Sequence, residues 1–245
     1  MSDWQERLVF KGGMLLSSLV GISARTTMDM DTTLRNFPLD PIALVEGLKA
    51  ICQLDAGDDV TIEFNGMEPI RSDDEYGGYR VALVAHCHGT NTPIAIDVTT
   101  GDRITPAAIT HKYRTLFESR TIHILAYNLE TILAEKLETI LSRNIASTRP
   151  KDFYDVHMLM NTKRTEIDPS VLTRAVYATA AKRESIQLLA DATSLFDLIA
   201  RDEGLMNHWT RYVRKFPYAR GIQYVDVVKS LSDLLVMIGQ DELTD

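Results

Sequence analysis

Alternating and continuous apolar runs dominate the first half of the chain, and they predict strands. Two segments differ, because their apolar residues recur at helical spacing: "GGMLLSSLVGI" and "DPIALVEGLKAICQL". The predicted strands are "RLVF", "TMDMDTTLR", "VTIEFNGMEPI", "YRVALVAHCHG", "TPIAIDVTTGD" and "TIHILAYN". We therefore expect an α+β domain over residues 1–127.

From Asn128 onward the strand patterns stop. Asn128 is a suitable N-cap for the helix "LETILAEKLETILSR". Four more segments have helical apolar spacing: "RPKDFYDVHMLMN", "PSVLTRAVYATAAKRE", "ADATSLFDLIARDEGLMNHWTRYVRKF" and "VDVVKSLSDLLVMIGQ". The sequence thus predicts a helical domain over residues 128–245.

Composition narrows the class of protein. Apolar residues make up 45% and charged residues 24%, which is typical of a water-soluble globular chain. The formal charge of −8 gives no overall basic field, so any RNA contact would come from a local patch. The two cysteines, Cys52 and Cys87, have no zinc-type spacing, and no apolar run is long enough to span a bilayer. We expect a cytoplasmic protein that does not enter membranes.

Three aspartates are candidate ligands for a metal ion. Asp29 and Asp31 are two positions apart in a strand pattern, so both should face the same side, and Asp97 lies in another predicted strand. Carboxylates that converge on one place repel each other unless a cation neutralises them. Mg²⁺ prefers such oxygen ligands, and Mn²⁺ is the alternative. We predict that Asp29, Asp31 and Asp97 form a metal site.

Two glycines precede these aspartates. Gly12 and Gly13 lie between a predicted strand and a predicted helix, where free backbone N–H groups can approach a phosphate. A glycine pair or a DxD alone is common in purely structural settings, but their succession favours phosphoryl or nucleotidyl transfer. No GxxxxGK[ST] is present, so this is not a Walker A loop.

These motifs resemble the AbiEii/AbiGii toxin family of the DNA polymerase β-like nucleotidyltransferase superfamily. The resemblance extends over roughly residues 9–160. The matching motifs are "FKGG" (10–13), "RTTMDMD" (25–31), "IDV" (96–98), "GD" (101–102), "EKL" (135–137) and "KDFYDV" (151–156).

The resemblance implies an α+β fold, in which a mixed sheet with flanking helices is followed by a helical C-terminal domain. It implies a metal-dependent nucleotidyltransferase, the toxin of a toxin–antitoxin or abortive-infection system. Such an enzyme would transfer a nucleoside monophosphate from an NTP to an acceptor, with the 3′ end of tRNA as the expected one. A cognate antitoxin would be encoded nearby.

The resemblance also assigns roles to single residues. Asp29 and Asp31 would hold the metal ions, and Asp97 would complete the site or act as a base. The residues expected to contact the nucleotide are Lys11, Gly12, Gly13, Arg25, Thr27, Lys136, Lys151 and Asp155. Asp152 would accept a proton or hold Lys136 in place.

The residue pattern leaves some of these roles open. Lys136 borders the apolar stripe of its helix, so it could equally direct its ammonium group to solvent. Helix phase does not separate Asp152 from Asp155, and a solvated face with an Asp–Lys pair is the alternative.

Two departures from the family pattern stand out. Relatives usually have a longer segment before "FKGG", whereas nine residues precede Phe10 here, which leaves an internal start or a trimmed N-terminus as an open alternative. "RTTMD" replaces the commoner aromatic–serine pair after the arginine. Thr27 keeps a hydroxyl at that place, so we expect activity to survive.

Other functions remain open from the sequence. A nucleotide- or RNA-binding module without turnover, and an NTP-dependent kinase or phosphohydrolase, would need similar residues. An RNA surface is suggested by basic residues interleaved with aromatic ones, although a mixed-charge helical surface would give the same pattern. These residues are Lys182, Arg183, Trp209, Arg211, Tyr212, Arg214, Lys215 and Arg220.

Overall fold

The computed structural model describes residues 3–27, 29–35, 40–57, 59–70, 77–115 and 120–239. Met28, inside the "RTTMDMD" motif, lies outside these residues. The chain forms two compact units, and neither is one continuous segment. The first consists of Met1–Leu19, Thr26–Asp102 and Ile109–Ala126, and the second of Val20–Arg25, Arg103–Ala108 and Tyr127–Asp245.

A mixed sheet forms the body of the first unit. Its strands are β1 Leu8–Lys11, β2 Met30–Leu34, β3 Thr61–Ile70, β4 Gly78–Cys87, β5 Thr90–Thr100, β6 Ile109–Arg114 and β7 Thr121–Ala126. Their order across the sheet is β3-β4-β5-β2-β1-β7-β6. The β1–β7 and β2–β5 pairs are parallel, and the other neighbours are antiparallel.

Two helices belong to this part of the chain, α1 Gly12–Val20 and α2 Pro41–Cys52. The helix α2 begins where sequence chemistry predicts, because Pro41 occupies its first turn and Asp40 caps it. It packs against β3. A core of buried apolar side chains fixes this unit: Leu34, Leu44, Leu48, Val81, Leu83 and Val98.

The second unit is helical. Its helices are α3 Leu129–Arg143, α4 Pro150–Thr162, α5 Pro169–Lys182, α6 Gln187–Ala190, α7 Ala192–Arg201, α8 Glu203–Lys215 and α9 Tyr224–Gly239. Asn128 caps α3, as predicted, by accepting a hydrogen bond from Thr131 N at 2.8 Å. The packed pairs α3–α4, α3–α5 and α4–α9 enclose fully buried leucines, among them Leu133, Leu137 and Leu159.

The sequence-based prediction of elements was wrong in several places, including these four. It missed β6, because "ITHKYR" is mostly polar and becomes a strand through pairing with β7. It joined α7 and α8, but the Asp202 side chain accepts from Leu205 N at 2.7 Å and begins a new helix. It extended β4 past Cys87, where His88 adopts a φ of +47°. It began β2 too early, because the strand starts at Met30 and Asp29 precedes it.

The expected class nevertheless stands. A mixed sheet with flanking helices is followed by a helical C-terminal part, as the resemblance implied. Among the described residues, none of the helices combines the length and the apolar character that crossing a membrane requires.

Candidate active site

The turn between β1 and α1 is built around two glycines. Gly12 has a φ of +66°, a backbone conformation that residues with a Cβ rarely adopt. A Cβ on Gly12 would lie 2.0 Å from Asp31 Oδ2, and a Cβ on Gly13 would lie 2.8 Å from the side chain of Thr27. The glycines therefore make room for Asp31 and Thr27 beside the start of the helix.

Asp31 and Asp97 lie side by side in the sheet. They are directly paired positions of the parallel strands β2 and β5, so their side chains project from the same face. Both residues lie in strands, as predicted, and these two strands are neighbours in the sheet. Asp29 is exposed just before β2, and its backbone N–H donates to Thr27 Oγ1 at 3.2 Å.

The partner of Asp97 is an arginine that the sequence reading did not single out. Arg80 on β4 is the direct cross-strand neighbour of Asp97. Its Nε and one terminal nitrogen each donate to a different Asp97 oxygen at 2.8 Å. The Asp97 side chain is 20% exposed and that of Arg80 48%. Both carboxylate oxygens of Asp97 are thus engaged by a bidentate ion pair.

Lys11 completes a row of charges across the sheet. It is paired with Asp31 in the β1–β2 register, so the row runs Lys11, Asp31, Asp97, Arg80. The ammonium of Lys11 forms a largely buried ion pair with Asp102, which also accepts a hydrogen bond from Thr99 Oγ1 at 3.3 Å. Asp102 belongs to the "GD" motif, which was the available signal for its importance.

In the sheet unit, Asp29 and Asp31 fit Mg²⁺ as a pair of carboxylate ligands. Within the part of the chain that the structure describes, no three His, Cys, Asp or Glu side chains form a group that could hold a metal. In that same part, Asp29 and Asp31 form no salt bridge. Mg²⁺ is commonly held by one or two carboxylates together with substrate phosphates, and this pair matches that arrangement.

A second group of charged residues lies in the helical unit. Lys136 on α3 directs its Nζ to Asp152 Oδ1 at 2.5 Å and to Asp155 Oδ2 at 2.8 Å, both on α4. The two aspartate side chains are 1% exposed and that of Lys136 is 15% exposed. The alternative of a solvated face with a weak ion pair is therefore wrong, because both carboxylates are buried.

Two arginines extend the group. Arg25 Nε donates to Asp155 Oδ1 at 2.8 Å, and Arg149 Nε donates to Asp152 Oδ2 at 2.6 Å. Each carboxylate therefore accepts from two cations, and three positive charges alternate with two negative ones. We call Arg25, Lys136, Arg149, Asp152 and Asp155 the lysine-centred cluster.

Protonation states in the cluster are fixed by its neighbours. Burial would lower the pKa of Lys136, but Asp155 and Asp152 outweigh burial and raise it. Burial would raise the pKa of Asp152, but Lys136 and Arg149 bring it below its ordinary value of 3.8. Burial also opposes the charge on Arg25, whose pKa Asp155 raises. Lys136, Asp152 and Arg25 are therefore charged at neutral pH.

Aromatic side chains surround Arg25 and Asp155. The Tyr154 hydroxyl donates to the carbonyl of Ala24, and burial raises the pKa of Tyr154 to about 12. The ring of Tyr154 packs against Tyr212 and Tyr218, with centroids 5.9 and 5.0 Å away. The Tyr212 and Tyr218 hydroxyls are 3.1 Å apart.

This packing corrects the predicted RNA surface. Trp209 is 4% exposed and Tyr212 6% exposed, so neither ring is available to stack on a base. Both belong to the core because α8 turns its aromatic stripe inward. The basic residues Arg211, Arg214, Lys215 and Arg220 are exposed on the other positions.

The predicted residues therefore fall into separate groups. Lys11, Gly12, Gly13, Thr27, Asp29, Asp31 and Asp97 belong to the sheet unit, and Arg25, Lys136, Lys151, Asp152 and Asp155 to the helical unit. Lys151 is exposed on α4. Arg80, Asp102 and Arg149 were missed, although each pairs with a charged residue that the sequence did indicate.

Comparison with known protein families gives a match over most of the chain. The sequence profile described as "Nucleotidyl transferase AbiEii toxin, Type IV TA system" matches residues 1–230. No curated protein matches the chain significantly.

Two solved structures share the fold. JHP933 from Helicobacter pylori superposes with a TM-score of 0.50 at 13% identity, covering 98% of this chain and 89% of the other. A candidate nucleotidyltransferase from H. pylori gives a TM-score of 0.50 at 14% identity, covering 97% and 90%. At such low identity these similarities concern the fold alone.

Proposed function

Because the chain belongs to the family of AbiEii nucleotidyl transferase toxins of type IV toxin–antitoxin systems, we propose that it transfers a nucleoside monophosphate from an NTP to an RNA hydroxyl. The 3′ end of tRNA is the acceptor that the family resemblance favours. Membership in a toxin–antitoxin family implies a cognate antitoxin as well as an NTP substrate.

One observation carries the proposal. The carboxylate of Asp31 lies against Gly12 at the first turn of α1, in space that a Cβ would fill. A helix N-terminus attracts anions such as phosphate, but a phosphate bound there would be repelled by the Asp31 carboxylate unless a divalent cation joined the two. Asp31, its neighbour Asp29 and the Gly12–Gly13 backbone thus provide for an NTP with its divalent ion.

The metal ion, when bound, would neutralise charge on the phosphates and orient them for in-line displacement. The chain's own residues would position the substrate. Gly12 and Gly13 would approach the phosphates closely, and Thr27 would fix the backbone of Asp29. In the helical unit, we assign Arg25, Lys136 and Lys151 to contacts with the nucleotide, as the resemblance implies.

The reaction forms a bond between the acceptor oxygen and the α-phosphorus. The bond from that phosphorus to the bridging oxygen breaks, pyrophosphate leaves, and the hydroxyl proton passes to a site carboxylate or to water. Asp152 is poorly suited to accept it, because its pKa is lowered by Lys136 and Arg149 despite burial. This supports the other role predicted for Asp152, which is to hold Lys136 in place.

The test is incubation of the purified protein with Mg²⁺, each α-³²P-labelled NTP in turn, and total cellular RNA. We expect label in an RNA band of tRNA size, reduced by at least about 100-fold in Asp31→Asn. Asp197→Asn, an exposed aspartate on α7, is the matched control and should leave incorporation unchanged.

Other outcomes would contradict the proposal. Undiminished incorporation by Asp31→Asn would exclude this site. Release of a nucleoside diphosphate instead of pyrophosphate would indicate a kinase or phosphohydrolase. Tight NTP binding without any labelled product would indicate a binding module.

A further inference from the structure

Arg80 lies between two carboxylate residues on the neighbouring strands. On one side, its cross-strand neighbour is Asp97 of β5, and on the other it is Glu68 of β3. The guanidinium is bound to Asp97 through two hydrogen bonds of 2.8 Å. Glu68 is exposed and forms no salt bridge among the described residues.

The bidentate pair limits what Asp97 can do. A guanidinium that binds both oxygens of a carboxylate occupies the position where a metal ion would chelate it, and it places a positive charge beside the lone pairs that remain. Among the described residues, no ion pair restricts the neighbouring Asp31 in this way. Two carboxylates in directly paired positions of the sheet thus differ in their availability.

The surroundings of the Arg80 side chain also allow it to move away from Asp97. Its side chain is 48% exposed, so nearly half of its surface faces solvent. Arg80 further interacts electrostatically with Asp29 and Glu68. A shift toward Glu68 would keep the guanidinium beside a carboxylate, which lowers the free energy required to release Asp97.

We propose that Arg80 is a built-in competitor for the metal ion: it neutralises Asp97 in the resting protein and moves toward Glu68 when a divalent ion binds. Asp29 and Asp31 form the part of the metal site that is open at rest, and Asp97 joins it only after Arg80 has moved. Arg80 is thus a positioning residue that acts through Asp97. This inference rests on the proposed function and on the predicted role of Asp97 as a metal ligand.

Mn²⁺ binding to the full chain without nucleotide provides the test, with free Mn²⁺ measured by electron paramagnetic resonance. Arg80→Gln should lower the Kd for Mn²⁺ by about 10-fold, because the competing cation is gone. Arg80→Lys, which keeps the charge but lacks the planar fork, should lower it less. Arg114→Gln, which removes one positive charge from the opposite edge of the sheet, is the matched control and should change the Kd by less than about twofold.

A double-mutant cycle identifies the path of the effect. Asp97→Asn should weaken Mn²⁺ binding by less than about threefold in the wild-type background, but by about 10-fold in the Arg80→Gln background. Glu68→Gln should weaken binding by about two- to threefold when Arg80 is present and should have no effect when it is absent.

The proposal is overturned if Arg80→Gln weakens Mn²⁺ binding or leaves it unchanged, or if Asp97→Asn costs the same in both backgrounds. Asp31→Asn separates this result from the proposed function. If Asp31→Asn binds Mn²⁺ as the wild type does, the metal site itself is misassigned. If Asp31→Asn abolishes binding while Arg80→Gln fails to tighten it, the role of Arg80 alone is wrong.

Discussion

Asp155 Oδ1 accepts a hydrogen bond from Arg25 Nε at 2.8 Å, although the two residues are 130 positions apart in the chain. Both side chains are almost entirely buried, with 8% and 1% exposed. The pair attaches the short segment before the DxD motif to α4 within the helical unit. Its burial gives it consequences for stability that an exposed ion pair would not have.

Replacing Arg25 should destabilise the protein markedly. In Arg25→Met, the buried Asp155 carboxylate keeps Lys136 as its one ion-pair partner among the described residues, and we expect the free energy of unfolding to fall by about 3 kcal/mol. Urea denaturation measures this change. The control is Arg164→Met, whose partner Asp233 is 3.8 Å away and exposed, so its loss should stay below about 1 kcal/mol. Equal losses would show that the buried pair has no special weight.

Gly12→Ala should abolish activity through Asp31. The alanine would have to adopt a left-handed backbone conformation. Its Cβ would also displace the Asp31 carboxylate, because Asp31 Oδ2 lies 2.0 Å from the place of that Cβ. Gly89→Ala is the matched control, because Gly89 has a φ of +80° but open space around it. It should lose about 1–2 kcal/mol of stability yet retain incorporation of labelled NTP. Full activity in a folded Gly12→Ala protein would contradict the assigned position of Asp31.

Asp152 should make stability depend on pH in acid. Lys136 and Arg149 lower its pKa in the folded state below the ordinary 3.8, despite burial. Its contribution is therefore fully present above about pH 5 and is lost as the pH falls through the folded-state pKa. Asp152→Asn should be less stable than the wild type at pH 7, and this difference should shrink steadily toward pH 3. Unfolding free energies across that range provide the check, and a constant difference would argue against the assignment.

Trp209 should behave as a core residue. Its indole N–H donates to the carbonyl of Ile222 at 3.2 Å, and its ring stacks on Tyr212 at a centroid distance of 5.6 Å. Trp209→Ala should lower the free energy of unfolding by about 3–5 kcal/mol. Arg214→Ala, at an exposed position of the same helix, should change it by less than about 0.5 kcal/mol. A Trp209→Ala protein of normal stability that binds RNA poorly would restore the stacking interpretation.

The sequence carried enough information to place Asp31 and Asp97 in strands, whereas the pairing of these strands comes from the structure. Asp31 and Asp97 each follow a clear alternating pattern, and their direct pairing agrees with it. Arg80 could not be found in this way, because its pairing with Asp97 depends on the β4–β5 register, which local pattern does not determine. The same holds for β6, whose strand conformation depends on its partner.

The helical unit shows a similar division. The position of Lys136 at the border of an apolar stripe could be predicted from the sequence of α3. Its two ion-pair partners, however, come near it only through the packing of α3 against α4. Trp209 and Tyr212 were misread because basic neighbours made them look like a nucleic-acid surface. Helical phase places those basic residues outward and the two rings inward.

The separation of Arg25 from Asp155 along the chain also bears on synthesis at the ribosome. At about 5–20 residues per second, roughly 7–26 s pass between the addition of the two residues. A chain released before Pro150 contains Arg25 and Lys136 but neither of the aspartates that neutralise them. Such a product would lack both aspartates that pair with Lys136 in the folded chain, so premature termination removes the partners on which the burial of this lysine depends.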